Sequence, residues 1–89
     1  MIEQRVTLIN RLGLHARAAS KLVQSASRFE AQVWVEREGR CVNAKSIMGV
    51  LLLAAPCGAE LLLRAEGDDE AQAIAALQEL IENRFGEDQ

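Results

Sequence analysis

The sequence predicts an α+β fold in which helices gather on one face of a four-stranded antiparallel sheet. Stretches with strand-like alternation and stretches with helical spacing follow in the order strand, helix, strand, strand, helix, strand, helix. The pair Glu38 and Gly39 joins two of these stretches and suits a hairpin turn. With 89 residues, 49% hydrophobic and only 3% aromatic, the chain is expected to form one domain over residues 1–89 with an aliphatic core.

The first half of the chain contains one stretch of helical spacing between strand-like stretches. Within it, Ala19, Leu22 and Val23 recur at the spacing of a helix and form one apolar face. The predicted elements are a strand over Ile2–Ile9, a loop over Asn10–Leu14, a helix over Ala16–Arg28, and strands over Gln32–Arg37 and Arg40–Asn43.

The second half predicts a short helix, a strand and a long helix. The short helix spans Ser46–Ala54, begins at the capping hydroxyl of Ser46 and is ended by Pro56–Gly58. The strand Glu60–Glu66 is almost continuously apolar, which indicates a central position in the sheet. The last helix is expected to be capped by Asp68 or Asp69 and to bury the stripe Ile74, Leu77, Ile81 and Phe85.

The only histidine, His15, immediately precedes the first helix. A helix start presents unpaired N–H groups and a partial positive charge, so it favours anions. The helix dipole and the neighbouring Arg17 oppose protonation of the imidazole, and a neutral ring nitrogen is a nucleophile. Gly13 fits as the flexible residue that turns the chain out of the strand. The pattern therefore predicts a site that carries phosphate, although a lone histidine at this position can also be an incidental cap.

A phosphorylated His15 would need donors for its phosphate oxygens. The backbone N–H groups of Ala16 and Arg17 are nearest in sequence, and the Arg17 guanidinium can add a forked contact. We therefore regard His15 and Arg17 as the candidate catalytic residues, with the Ala16 and Arg17 amides binding phosphate.

The segment around His15, together with Lys45, Ser46, Ile47, Met48 and Gly49, resembles the HPr family of the bacterial phosphotransferase system. The resemblance extends over essentially the whole chain, including Ala65, Glu66 and Gly67, and implies an open-faced sandwich of four strands and three helices. At Ala18 the chain departs from the family, which usually has a proline there. Alanine should keep the helix but hold its start less rigidly than proline would.

The resemblance implies a phosphocarrier, which takes a phosphoryl group from phosphoenolpyruvate-charged enzyme I onto His15 and passes it to IIA domains. It also implies that some bacteria phosphorylate Ser46 with a dedicated HPr kinase. Neither a metal nor an organic cofactor is implied, and the protein would be a phosphoryl-carrying intermediate instead of a stand-alone enzyme. The implied partner surface lies on the first two helices and comprises Ala16, Ser20, Gln24, Ile47, Met48, Leu51 and Leu52.

Two alternatives stay open at this level. One is a nitrogen-related regulatory phosphocarrier within the same family. The other is a docking module whose partner binding is switched by phosphorylation of His15. The residues do not decide among these.

The two parts of the chain differ in charge. The net charge of −3 divides into −7 over residues 66–89 and +4 over residues 1–65, so the half with His15 is basic and would steer acidic partners.

Composition excludes several other classes of function. Few aromatic residues and an acidic chain argue against nucleic-acid binding. The longest apolar stretch, Ile47–Cys57, is too short to span a bilayer. The segment that begins Met1–Arg5 shows no secretory signal, so we expect a cytoplasmic protein. We also expect a monomer. Cys41 and Cys57 are expected to be free thiols.

Overall fold

The structure is a computed structural model that describes residues 1–88. It confirms the predicted order of elements and adds a 3₁₀ turn after the last helix. The elements are β1 (Ile2–Thr7), α1 (Ala16–Ser27), β2 (Gln32–Arg37), β3 (Arg40–Asn43), α2 (Ile47–Leu52), β4 (Glu60–Glu66), α3 (Glu70–Glu82) and the 3₁₀ turn Arg84–Gly86.

The four strands form one antiparallel sheet in the order β1-β4-β2-β3. Strand β4 pairs with β1 on one side and with β2 on the other, which confirms the central position predicted from its apolar run. Leu63, for example, lies opposite Gln4 of β1 and Val35 of β2. Alternate residues of β4 point to the covered face, where Leu61, Leu63 and Ala65 are buried.

The core lies between this face of the sheet and the three helices. Helix α3 packs on β1, β4 and β2, α1 packs on α3 and α2, and α2 contacts β3. The largest fully buried side chains of the core are almost all aliphatic, as the composition predicts: Leu8, Leu22, Leu61, Leu63, Leu77, Ile81, Val33, Val35 and Val50, together with Phe85 and Asn10. The α+β open sandwich is therefore confirmed.

Some predicted boundaries were wrong by one or two residues. Strand β1 ends at Thr7 instead of Ile9, because Leu8 exchanges backbone hydrogen bonds with Ala59 and Gly58 of the facing loop. Helix α1 ends at Ser27, with Arg28 as its C-cap. Helix α2 is shorter than the predicted Ser46–Ala54, because Ser46 is its N-cap and Ala54 has a left-handed φ of 48°.

The end of α2 is held by basic side chains of the β2-β3 hairpin. The guanidinium of Arg37 donates to the carbonyl of Leu53 at 3.2 Å, and that of Arg40 donates to the carbonyl of Leu52 at 3.4 Å. These carbonyls lie at the C-terminus of a helix, where positive charge is favoured. The hairpin thereby fixes where α2 lies relative to the sheet.

The N-cap of the last helix is Asp69, one of the two residues predicted for this position, but its side chain does not act as a cap. The carboxylate makes no capping hydrogen bond to the helix. It instead accepts the backbone N–H groups of Glu30 and Ala31, at 3.0 and 2.8 Å, and so ties the start of α3 to the loop before β2. These hydrogen bonds hold the pKa of Asp69 below its ordinary value.

Phe85 is buried, as predicted, but it does not belong to the helix stripe. Helix α3 ends at Glu82, and Phe85 lies in the 3₁₀ turn with a left-handed φ of 55°. The residue is only 1% exposed. The side chain therefore joins the core after the chain has turned back from the helix axis.

Across residues 1–88, no helix is both long enough and apolar enough to cross a membrane. In the same part of the chain, no three histidine, cysteine, aspartate or glutamate side chains are grouped closely enough to hold a metal ion. Cys41 and Cys57 are unpaired and exposed.

Candidate functional site

The loop between β1 and α1 brings His15 to the start of the helix through a tight turn at Gly13. Gly13 has a left-handed φ of 67° and packs against the backbone of Ala55 and Pro56. A Cβ at this position would lie 2.5 Å from the Ala55 carbonyl oxygen, so only glycine fits. The next amide, that of Leu14, donates to the same carbonyl at 2.8 Å. Close contact of Gly13 with the Ala55 and Pro56 backbone and the hydrogen bond from Leu14 thus hold the turn in place. His15 directly follows Leu14.

His15 is itself the N-cap of α1. Its backbone is extended, and its carbonyl accepts the Ala19 amide at 2.8 Å in the first helical hydrogen bond. Its Nδ1 accepts the backbone N–H of Arg17 at 3.3 Å. An imidazole nitrogen that accepts a hydrogen bond carries no proton, so the Nδ1 lone pair faces the positive end of the helix. The side chain is 27% exposed and therefore open to a reactant.

The other ring nitrogen, Nε2, is hydrogen-bonded to the Glu87 carboxylate. The second oxygen of that carboxylate accepts the side-chain N–H of Asn10 at 3.0 Å, and Asn10 also donates to the Gly13 carbonyl at 2.7 Å. Asn10 is fully buried, and its amide links the Glu87 carboxylate to the loop between β1 and α1. The Asn10 hydrogen bond, followed by the one from His15, lowers the pKa of Glu87. The carboxylate is therefore ionised at neutral pH.

Neither Glu87 nor Asn10 was identified from the sequence. Glu87 lies 72 residues from His15 along the chain, and no local pattern relates the two positions. The sequence predicts only a loop at Asn10. Because the contact depends on where the end of the chain turns back, periodicity and spacing carried no signal for it.

An open groove surrounds His15. We call it the His15 groove, and it is lined by Arg11, Leu12, His15, Ala16, Arg17, Glu87 and Asp88. Arg17 is exposed and lines it beside the ring. Leu12, which the sequence reasoning did not single out, is 67% exposed there. Arg11, Arg17 and the start of α1 supply the positive charge in this groove that favours an anion, whereas Glu87 and Asp88 supply negative charge.

Ser46 lies at the start of α2, where its Oγ accepts the Gly49 amide at 3.2 Å. Helix α2 buries Val50 and exposes Ile47, Met48 and Leu52, which we call the apolar patch. Of the other residues predicted for the partner surface, Ala16 and Gln24 are exposed, while Ser20 and Leu51 are half-buried. Helices α1 and α2 pack against each other. The two helices thus present these residues on adjoining parts of the surface.

A helix-covered antiparallel sheet with a partly exposed histidine at a helix start is typical of a class of small phosphocarrier domains. The family model described as "PTS HPr component phosphorylation site" matches residues 2–83. The chain belongs to the HPr family. The resemblance read from His15 and the Lys45–Gly49 segment is therefore confirmed.

Relatives and solved structures agree with this assignment. The phosphocarrier protein HPr of Xylella fastidiosa is 54% identical over 88 residues, which cover 99% of each chain. The crystal structure of HPr-C-His from Thermoanaerobacter tengcongensis matches with a TM-score of 0.97 and 50% identity, covering 100% of both chains. A structure described as an HPr dimer from the same organism has a TM-score of 0.79 and 52% identity, covering 98% of this chain and 100% of that one. A monomeric state for this chain thus stays a prediction.

Proposed function

We propose that His15 accepts a phosphoryl group from phospho-enzyme I, which is charged by phosphoenolpyruvate, and passes it to a IIA domain. The observation that carries this proposal is the geometry of Nδ1, an unprotonated nitrogen aimed at the first turn of α1 and open to the His15 groove. Membership of the HPr family supports the same chemistry. The proposed donor also makes the cytoplasm the expected location.

Phosphoryl transfer requires in-line positioning and stabilisation of negative charge more than covalent assistance from the protein. The Nδ1 lone pair attacks phosphorus, and the bond from phosphorus to the donor breaks. The arriving oxygens then lie beside the Arg17 amide, which already points at Nδ1, and beside the Ala16 amide and the Arg17 guanidinium. As the N–P bond forms, the Arg17 amide has to exchange its hydrogen bond to Nδ1 for one to a phosphate oxygen.

The apolar patch lies on α2, which packs against the helix that His15 caps, and it is suited to a partner that approaches His15. Met48 and Leu52 are 67% and 60% exposed, and Ile47 is 38% exposed. Exposed apolar side chains of this size stabilise a complex when they are buried, and methionine adapts to differently shaped partners. We therefore assign the apolar patch, with Ala16, Ser20, Gln24 and Leu51, to docking of enzyme I and IIA domains.

Ser46 gives this surface a means of regulation. We propose that an HPr kinase phosphorylates its hydroxyl, which caps α2 directly before the apolar patch. A phosphate at this position would add about −1.5 to −2 charges beside side chains that a partner must desolvate. Phosphorylated Ser46 would thus weaken docking without touching His15.

The test uses purified enzyme I and phosphoenolpyruvate labelled in its phosphoryl group, followed by addition of candidate IIA domains. We expect one acid-labile, base-stable phosphoryl group on the protein, and none on the His15→Ala variant. Arg17→Ala should slow onward transfer, whereas Arg28→Ala, an equal change at the opposite end of α1, should not. A labelled His15 that transfers to no IIA domain would favour the docking module, and an unlabelled protein would contradict the proposal.

A further inference from the structure

The end of the chain forms a turn that places Glu87 over the imidazole. Arg84 and Phe85 both have left-handed φ values of 55°, and Gly86 follows at 78°. Left-handed backbone at residues other than glycine is unfavourable, so it persists only where the surroundings enforce it. Here the buried ring of Phe85 enforces it, and the Lys21 ammonium of α1 donates to the Phe85 carbonyl. The turn is therefore anchored independently of Glu87.

The contacts around His15 permit only one neutral tautomer. A backbone N–H can only donate, so the Arg17 amide requires a lone pair on Nδ1. An ionised carboxylate can only accept, so Glu87 requires a proton on Nε2. Both demands are met when the neutral ring carries its single proton on Nε2. Because Asn10 occupies the other carboxylate oxygen, Glu87 is held in this orientation.

We propose that Glu87 is a positioning residue that keeps the proton on Nε2 and so keeps Nδ1 unprotonated as the nucleophile. It acts through its hydrogen bond to Nε2 and does not contact the phosphoryl group that Nδ1 receives. Asn10 and the anchored turn serve to hold the carboxylate at the ring.

The hydrogen bond between Glu87 and Nε2 also determines the charge of the ring during transfer, an inference that rests on the proposed function. The Nδ1 lone pair forms the bond to phosphorus, and the electron pair of the broken bond leaves with the donor. The proton stays on Nε2, so the phosphorylated ring becomes cationic beside the Glu87 carboxylate. In onward transfer the electron pair of the N–P bond returns to Nδ1, and the ring becomes neutral again. No proton has to enter or leave at either step.

The first arm of the test needs no phosphotransferase partner. The imidazole nitrogens of His15 are labelled with ¹⁵N, and their chemical shifts are recorded at a pH where the ring is neutral. We expect the wild-type protein to show a protonated Nε2 and an unprotonated Nδ1. Glu87→Ala should move both shifts toward those of a mixture of tautomers. Glu82→Ala is the matched control, because it makes the same change at an exposed glutamate at the end of α3 and outside the His15 groove, and it should leave both shifts unchanged.

The second arm measures transfer from phospho-enzyme I to the same three proteins. Loss of a hydrogen bond to a group that becomes charged should slow transfer to Glu87→Ala by at least about tenfold, with Glu82→Ala near the wild-type rate. Unchanged nitrogen shifts in Glu87→Ala would overturn the inference, as would faster transfer, which would mean that Glu87 obstructs the phosphoryl group. If the wild-type protein is not phosphorylated at all, the proposed function fails, and the nitrogen shifts still decide the role of Glu87.

Discussion

Substitution of Gly13 by alanine should destabilise the loop that presents His15 far more than the same change at another left-handed glycine. At Gly13 the new Cβ would lie 2.5 Å from the Ala55 carbonyl oxygen and 2.8 Å from Cα of Pro56. Both are backbone atoms, so neither can move aside as a flexible side chain would. Gly39, at the tip of the β2-β3 hairpin, has a similar φ of 84°, but a Cβ there meets nothing within 4 Å. The pair separates backbone strain from steric overlap.

The magnitudes follow from these two contributions. Gly39→Ala adds only the left-handed conformation of a residue with a Cβ, about 1–2 kcal/mol. Gly13→Ala adds overpacking against the Ala55 and Pro56 backbone, about 1–3 kcal/mol more. The free energy of unfolding should therefore fall by about 2–5 kcal/mol in Gly13→Ala. Since each kcal/mol of lost stability lowers the melting temperature of a domain of this size by about 4–8 °C, this fall should be large on a melting curve.

Urea unfolding followed by fluorescence measures both variants. The chain has a single tryptophan, Trp34, which lies half-buried on β2 and reports on the sheet. Equal m-values would show that the comparison concerns stability alone. The rate of phosphorylation of His15 serves as a second measurement, which should drop in Gly13→Ala only. Equal losses of stability in the two variants would refute the steric argument.

Three further predictions concern the caps and the core. Ser46→Ala should lower the free energy of unfolding by about 1 kcal/mol, because it removes the cap of α2, whereas Ser46→Asp should retain it; equal stability of both variants would contradict this. Since the pKa of Asp69 is lowered in the folded state, its contribution is present above the unfolded-state pKa and is lost as pH falls through the folded value. The stability advantage of wild type over Asp69→Asn should thus shrink below about pH 4 in urea titrations, and a constant difference would argue against it. Leu22→Ala should cost about 2–5 kcal/mol in urea unfolding and Leu52→Ala under about 0.5 kcal/mol, because the first side chain is fully buried and the second is 60% exposed; similar losses would contradict the assignment of the core.

The sequence by itself determined the order of the elements, the central place of β4 and the candidate reactive group. These features depend on local properties. Alternation and helical spacing show which face of each element is apolar, and a histidine directly before a helical stretch must lie at the helix start. The need for glycine at position 13, two residues before His15, is also local, because the turn at Gly13 has a left-handed φ.

Only the tertiary structure decided which distant groups meet. Asp69 could have capped its own helix, but packing of α3 brought it to the amides of Glu30 and Ala31. Glu87 reached His15 because burial of Phe85 turned the end of the chain back toward α1. Such contacts arise from long-range packing, which leaves no periodic trace along the chain. The candidate nucleophile is thus a local feature of the sequence, while the carboxylate that contacts its ring is a product of the fold.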